Sequence, residues 1–395
     1  MGESQPPGAP PRRRTGVAAA VVGAYWAVAL LSFLRGYDPG LPPYGTYPWG
    51  VTYEFGFIKR GLAGTVFQLL TGGQGVDGQV PTIVALHLVT SVALVVLSGL
   101  WLGRIVRRQD SWAGVALLAA VAALFATSQF LPTLGFLPGY VDGVMLVLVL
   151  ACGGLIAAGR TGWAVALGVV GPLLHESFAF YWIPLAVAAI AISGERFDAR
   201  RRRLWWLGLP VVSAVAVVLL HDQRAAVATI EALGLRANIE AVLVDAHFGQ
   251  SLASAAARII EAQPTYWPIE VWGLIAFAGP ALVMVGLYAT ARRGRLSGAD
   301  RVALAAGVVS PLALLAIVTD LSRFLVAANL MVFIVILILE ARPRSAPEPS
   351  RVLLGAVAVL CAVSVVMPFV YTDIDAGDLW ENGPIQLFNA PSSRR

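Results

Sequence analysis

The sequence predicts an all-α, polytopic integral membrane protein with about eleven transmembrane helices and amphipathic helices in two outer loops. Three observations carry this. Of 395 residues, 58% are hydrophobic and only 13% are charged, roughly half the charged share of a soluble protein. The mean hydropathy is +0.75. Apolar runs near bilayer length, roughly 17 to 25 residues per crossing, recur along the whole chain. Such a chain has too little polar surface to coat a soluble globule. A nucleic-acid partner is excluded with it, despite a net charge of +5.

In chain order, residues 1–16 form a Pro/Gly-rich segment, disordered by composition and cytoplasmic. Arg12, Arg13 and Arg14 precede an apolar run, 17–34, that reads as an uncleaved signal anchor. Further runs fall at 81–103, 112–131, 142–158, 161–175, 178–193, 204–220, 268–291, 302–319, 323–340 and 352–371. The transmembrane domain thus covers 17–371, and 372–395 is a polar extracytoplasmic tail. The two cysteines, Cys152 and Cys361, lie inside apolar runs, so neither a disulfide framework nor a thiolate metal site is expected.

The region 161–193 admits two readings, one kinked span or a tight hairpin of two. Charge decides between them. With two spans and a cytoplasmic N-terminus, nineteen of the 28 basic residues and seven of the 23 acids lie inside, as the positive-inside tendency requires. A single span would put Arg196 to Arg203 outside. The hairpin therefore carries His175-Glu176 at its outer apex, and the C-terminus falls outside in a multi-pass cell-membrane protein.

Two outer loops are more than turns. In 35–80, Phe55, Ile58, Leu62, Val66 and Leu69 recur at helical spacing, which predicts an interfacial or re-entrant helix over Tyr53 to Leu70. In 221–267, Ile239, Val242 and Leu243, then Leu252, Ala256 and Ile259, predict two or three short helices on the membrane surface.

The unusual polar residues gather on the outer side: Asp38, Glu54, Lys59, Arg60, Asp142, His175, Glu176, His221, Asp222, Asp320 and Arg323. Ionisable groups at membrane depth are costly and tend to face a water-filled cavity or a partner, although span ends need polar residues in any case. Lys59 is the only lysine. On a helix it and Arg60 would point about 100° apart and grip a phosphate from two sides; the alternative is headgroup anchoring to membrane lipids. Gly56 to Gly64 is not a P-loop, since no Lys follows the second Gly. His175-Glu176 lacks the i, i+4 spacing of a helical zinc motif, and the acidic run Asp373, Asp375, Asp378 is broken by Gly377. Neither metal nor cofactor is expected.

A first span ending in an acidic residue, an outer loop with a membrane-parallel helix, then about ten more spans with a second helical outer loop resembles the membrane half of GT-C-type glycosyltransferases. The resemblance covers roughly 1–371 in architecture. It implies transfer of a sugar from a polyprenyl-phosphate carrier at the outer face for cell-envelope glycan assembly. It also implies an acidic base in the first outer loop: Asp38 matches, with Glu54 and then Glu176 as further catalytic candidates. Substrate-binding candidates are Lys59, Arg60, His175, Arg323 and Asp320. Polysaccharide polymerases of the Wzy type are a neighbouring possibility, without their Arg-x10-Gly signature in 221–267. Two other classes compete: a transporter or flippase of a lipid-linked or small anionic substrate, with Asp142, Glu176 and Asp320 as ion sites, and a non-catalytic subunit of an envelope-building membrane protein complex.

Overall fold

A computed structural model describes residues 11–37, 47–73, 76–136, 140–193, 197–232, 277–316, 321–342, 350–366, 369–373 and 378–382. Among the described residues, the helices longer than four residues are α1 (Pro11–Gly36), α2 (Gly61–Thr71), α3 (Val80–Arg107), α4 (Trp112–Thr127), α5 (Phe130–Phe136), α6 (Asp142–Ala157), α7 (Thr161–Leu174), α8 (Phe178–Ser193), α9 (Phe197–Leu219), α10 (Gln223–Ala232), α11 (Gly279–Ala291), α12 (Gly298–Leu312), α13 (Leu321–Glu340) and α14 (Arg351–Val366). An antiparallel hairpin, β1 (Phe369–Asp373) and β2 (Asp378–Asn382), takes up the end of the expected span 352–371 and the start of the expected polar tail.

Among the described residues, five helical stretches are long and apolar enough to cross a bilayer: Thr15–Gly36, Val80–Arg107, Trp112–Phe136, Gly298–Leu315 and Arg323–Glu340. The chain is thus a helical membrane protein. The other expected spans appear as shorter apolar helices, and α9 bends by 74° into α10 at a break of a few residues.

Local chemistry explains where the helices begin. Ser111 caps α4 by accepting from the Gly114 amide at 3.1 Å. Ser297 and Asp300 form a reciprocal capping box at the start of α12, satisfying two otherwise orphaned amides. Pro81 sits in the first turn of α3, where its missing N–H costs nothing.

The stretch 161–193 is two helices that double back. A Cβ at Gly168 would lie 2.9 Å from the Trp182 ring, and one at Gly171 only 2.3 Å from the Phe178 ring. In one continuous helix, residues 168 and 182 would stand roughly 21 Å apart. Glycine at both positions lets the arms touch. Helix α9 then packs on both: the Trp182 indole donates to the Leu207 carbonyl at 2.7 Å and Ser213 Oγ to the Val169 carbonyl at 2.9 Å.

Helix α13 is the buried axis, with every residue from Phe324 to Glu340 under solvent-excluding neighbours. It packs against α4, α8, α11 and α12, and Phe333 stacks on Phe125 at 4.5 Å between centroids. Between membrane helices such contacts act by van der Waals fit, since lipid tails are as apolar as Leu. Apolar side chains on the outside, including Leu69, Leu70, Trp205, Leu219 and Val352, are the surface that lipid would cover.

Hydrogen bonds tie together two ends of the bundle. At one, Glu340 accepts from Arg292, Tyr288 and Gln109, and Arg342 reaches the Ala191 carbonyl. At the other lie Arg60, Asp142, Glu176 and Arg323, with Arg35 donating to the Ser364 and Val365 carbonyls and to Gln129.

Candidate functional site

The expected helix over Tyr53 to Leu70 is only half formed. Helix α2 starts at Gly61, and residues 51–60 make turns before it. Three contacts hold those turns in place. The Tyr53 amide donates to Thr65 Oγ1 at 3.0 Å, the Asp222 amide to the Phe57 carbonyl at 2.9 Å, and the Lys59 amide to His221 Nδ1 at 3.2 Å. The stretch is thereby clamped to the elbow between α9 and α10, where Asp222 also caps α10 through Arg224 N at 2.8 Å. Gly64 permits the close approach of α2, because a Cβ there would collide with the Val51 carbonyl. The helix-period stripe misleads in a second way. In α2 the buried face is Gly61, Ala63, Gly64 and Phe67, whereas Val66 and Leu69 point outward, as they would in a helix lying against lipid.

Lys59 and Arg60 therefore do not flank a helical face. Arg60 immediately precedes α2 with φ 63° and ψ 9°, the only non-glycine with positive φ among the described residues. This left-handed conformation costs roughly 1 to 2 kcal/mol for an L-residue, so something must hold it. Glu176 does: Arg60 Nε donates to Oε2 at 3.0 Å and Nη2 bonds Oε1. The expected placement of the two cations on one helix is thus corrected: Arg60 pairs with Glu176, and Lys59 stands beside the pair.

The apex between α7 and α8 supplies the partner. His175, 8% exposed, takes an extended backbone conformation that ends α7, and its Nδ1 accepts from the Ser177 amide at 3.2 Å. Burial, joined by the positive charge of Arg60, pushes the His175 pKa down to about 3, against the opposing pull of Glu176 and Asp142. Burial would raise the Glu176 carboxyl, but Arg60, with His175 and Lys59, holds it well below the usual carboxylate range. Burial also lowers the Lys59 ammonium, which Glu176 resists and Arg60 reinforces. The site at pH 7 holds a neutral imidazole and an ionised carboxylate.

A second ion pair lies close enough for its charges to act on His175. Arg323 Nη1 donates to Asp142 Oδ2 at 3.0 Å, joining the first turns of α13 and α6. The guanidinium also sits over the rings of Tyr140 and Phe324, at 5.1 and 4.8 Å, an arrangement favourable to a cation. Beside this pair opens a cleft of about 380 Å³, its open mouth included, lined by His87, Thr133, Tyr140, Asp142, Tyr181 and Arg323 among others.

Of the expected residues, Lys59, Arg60, His175, Glu176 and Arg323 meet at this end of the bundle. Glu54 is exposed and joins neither ion pair among the described residues. Asp38 and Asp320 lie outside the described residues, as do the expected helices at 239–263. Tyr37, next to Asp38, stacks on Phe33, which stacks in turn on His87. Among the described residues no three His, Cys, Asp or Glu side chains form a metal-ligand set.

Sequence reasoning missed His87, a histidine inside the apolar run 81–103, and the pairing of Asp142 with Arg323. It also missed the buried Arg292–Glu340 pair at the opposite end. The available signal for that pair was a single Glu closing the otherwise apolar run 323–340, with arginines at the matching end of the run 268–291. No protein-family model, curated protein or solved structure matches the chain.

Proposed function

We propose that the chain is a GT-C-like membrane glycosyltransferase that takes a sugar from a polyprenyl-phosphate carrier at the extracytoplasmic face. On this reading about eleven spans place the N-terminus in the cytoplasm and the C-terminus outside. The observation that carries it is the gathering of Lys59, Arg60, Asp142, His175, Glu176 and Arg323, drawn from four distant chain segments, at one end of the bundle. An amphipathic helix, α2, leads away from that cluster with exposed Val66, Leu69 and Leu70.

The roles follow from the pairing. Glu176, ionised and engaged by Arg60, is too weak a base to serve as the proton acceptor and instead positions Arg60. Lys59 supplies the cation for the carrier phosphate, an interaction strengthened by a desolvated setting. Asp38 remains the base for the acceptor hydroxyl. The test is Asp38→Asn in lipid nanodiscs with a polyprenyl-phosphate sugar. Carrier binding should persist while transfer falls by roughly 10² to 10⁴, the range for loss of a general base; unimpaired transfer would overturn the assignment.

A second reading, a transporter or flippase, draws on one specific observation. Helix α13 carries an ion pair at each end, Arg323 with Asp142 and Glu340 with Arg292, as two gates of an alternating-access path would. In that case Asp38→Asn would change binding and flux together, with no transfer product from any variant.

A further inference from the structure

We infer that the cleft between His87 and the Asp142–Arg323 pair is a subsite for one hydroxyl-bearing arm of a sugar. The inference deepens the proposed transferase reading, on which the choice of a sugar rests. It starts from a polar group in an unusual state. His87 is 2% exposed, on the face of α3 turned to the cleft, and neither ring nitrogen has a hydrogen-bond partner among the described residues. The Leu134 carbonyl lies near enough to act on the ring. Buried polar groups are nearly always satisfied, and an unmade bond costs about 1 to 3 kcal/mol. A small turn of the ring would let one nitrogen donate to Leu134, fixing the tautomer and presenting the other nitrogen to the cleft as an acceptor.

The remaining walls are largely apolar, with Phe130, Leu134, Leu146 and Val326 among them, and the few polar groups they hold suit a hydroxyl. Asp142 accepts, Arg323 donates, and Tyr140 and Tyr181 present aromatic surface. Paired with each other at 3.0 Å, Asp142 and Arg323 leave little net charge, which disfavours a phosphate and favours a neutral polar group. The enclosed part takes water-sized groups. It therefore fits a hydroxyl or hydroxymethyl arm rather than a whole ring. Without ligand, water would fill it. No bond is made or broken in this subsite.

The test uses the full chain in lipid nanodiscs with ¹⁵N-labelled histidine. Only four histidines are present, and His87→Gln identifies the His87 resonances. The methyl glycosides of glucose, mannose, galactose and N-acetylglucosamine are added at about 100 mM, enough to fill a millimolar site. At least one should shift the His87 ring nitrogens saturably, and Asp142→Asn should weaken that binding about tenfold or more, as loss of a charged hydrogen bond does. Tyr140→Leu, which keeps both charged partners of the ion pair, should also weaken it, and stands in if Asp142→Asn fails to fold. No shift with any of the four, an equal shift with glycerol, or a saturable shift confined to His175 would each overturn the inference. A saturable His87 shift without sugar transfer would sink the transferase reading and leave the subsite standing. Transfer without such a shift would do the reverse.

Discussion

Arg60 and Glu176, 116 residues apart, form a two-point ion pair that fixes the only left-handed non-glycine backbone among the described residues. The start of α2 and the apex of the α7–α8 hairpin are thereby one unit. Their side chains are 14% and 23% exposed, so the pair is shielded from water without being sealed from it.

Removing either partner should destabilise the protein by about 2 to 3 kcal/mol, below the 3 to 5 of a fully buried pair. Arg60→Gly should cost less than Arg60→Ala by about 1 kcal/mol, because glycine adopts positive φ without penalty. Thermal unfolding in detergent checks both. Equal losses for Gly and Ala would show that the backbone conformation is not strained.

Acid should weaken the same unit in two stages. His175 is held neutral down to about pH 3, whereas the unfolded chain takes up its proton near 6.5. The unfolded state therefore binds more protons between those values, and stability rises with pH across that window. The ionised Glu176 contributes fully above about 4.3 and is lost below it as pH falls through its depressed folded value. The melting temperature should fall from pH 7 to pH 5, and His175→Gln should flatten that decline. An unchanged slope in His175→Gln would place the titrating group elsewhere.

At the opposite end, Arg292 and Glu340 are each 1% exposed and Tyr288 adds a third contact at 2.7 Å. Glu340→Gln should cost about 3 to 5 kcal/mol by stranding a buried cation. The joint replacement Arg292→Met with Glu340→Leu should recover most of that loss, since an apolar pair pays no desolvation. Thermal unfolding of the single and joint variants separates these outcomes.

Sidedness has its own test. Single cysteines at the exposed positions 54 and 224 should react with an impermeant reagent in intact cells, and those at 108 and 293 only after lysis, with Cys152 and Cys361 replaced. The reverse pattern would invert the topology read from the arginines.

The helical membrane class and the 161–193 hairpin were legible because apolar run length and arginine position are one-dimensional signals. The turn at 51–60 was not. Its apolar residues have helical spacing, but the clamp by His221 and Asp222 comes from 162 or more residues away, and tertiary contacts override local period. For the same reason Lys59 and Arg60 could be singled out by type and yet misplaced in geometry. His87 and Asp142 carry no local sequence signal beyond being polar in apolar runs; only the packing of α3, α6 and α13 brings them together.

The most direct measurement of the central claim is carrier binding at the cluster. Undecaprenyl phosphate should co-purify with, or rebind to, the protein in nanodiscs by native mass spectrometry, and Lys59→Gln should weaken that binding about tenfold or more, as loss of a charge-assisted contact does. Arg60 would keep both contacts to Glu176, so melting should fall less than in Arg60→Ala. Undiminished binding by Lys59→Gln would contradict the placement of the carrier phosphate at this end of the bundle.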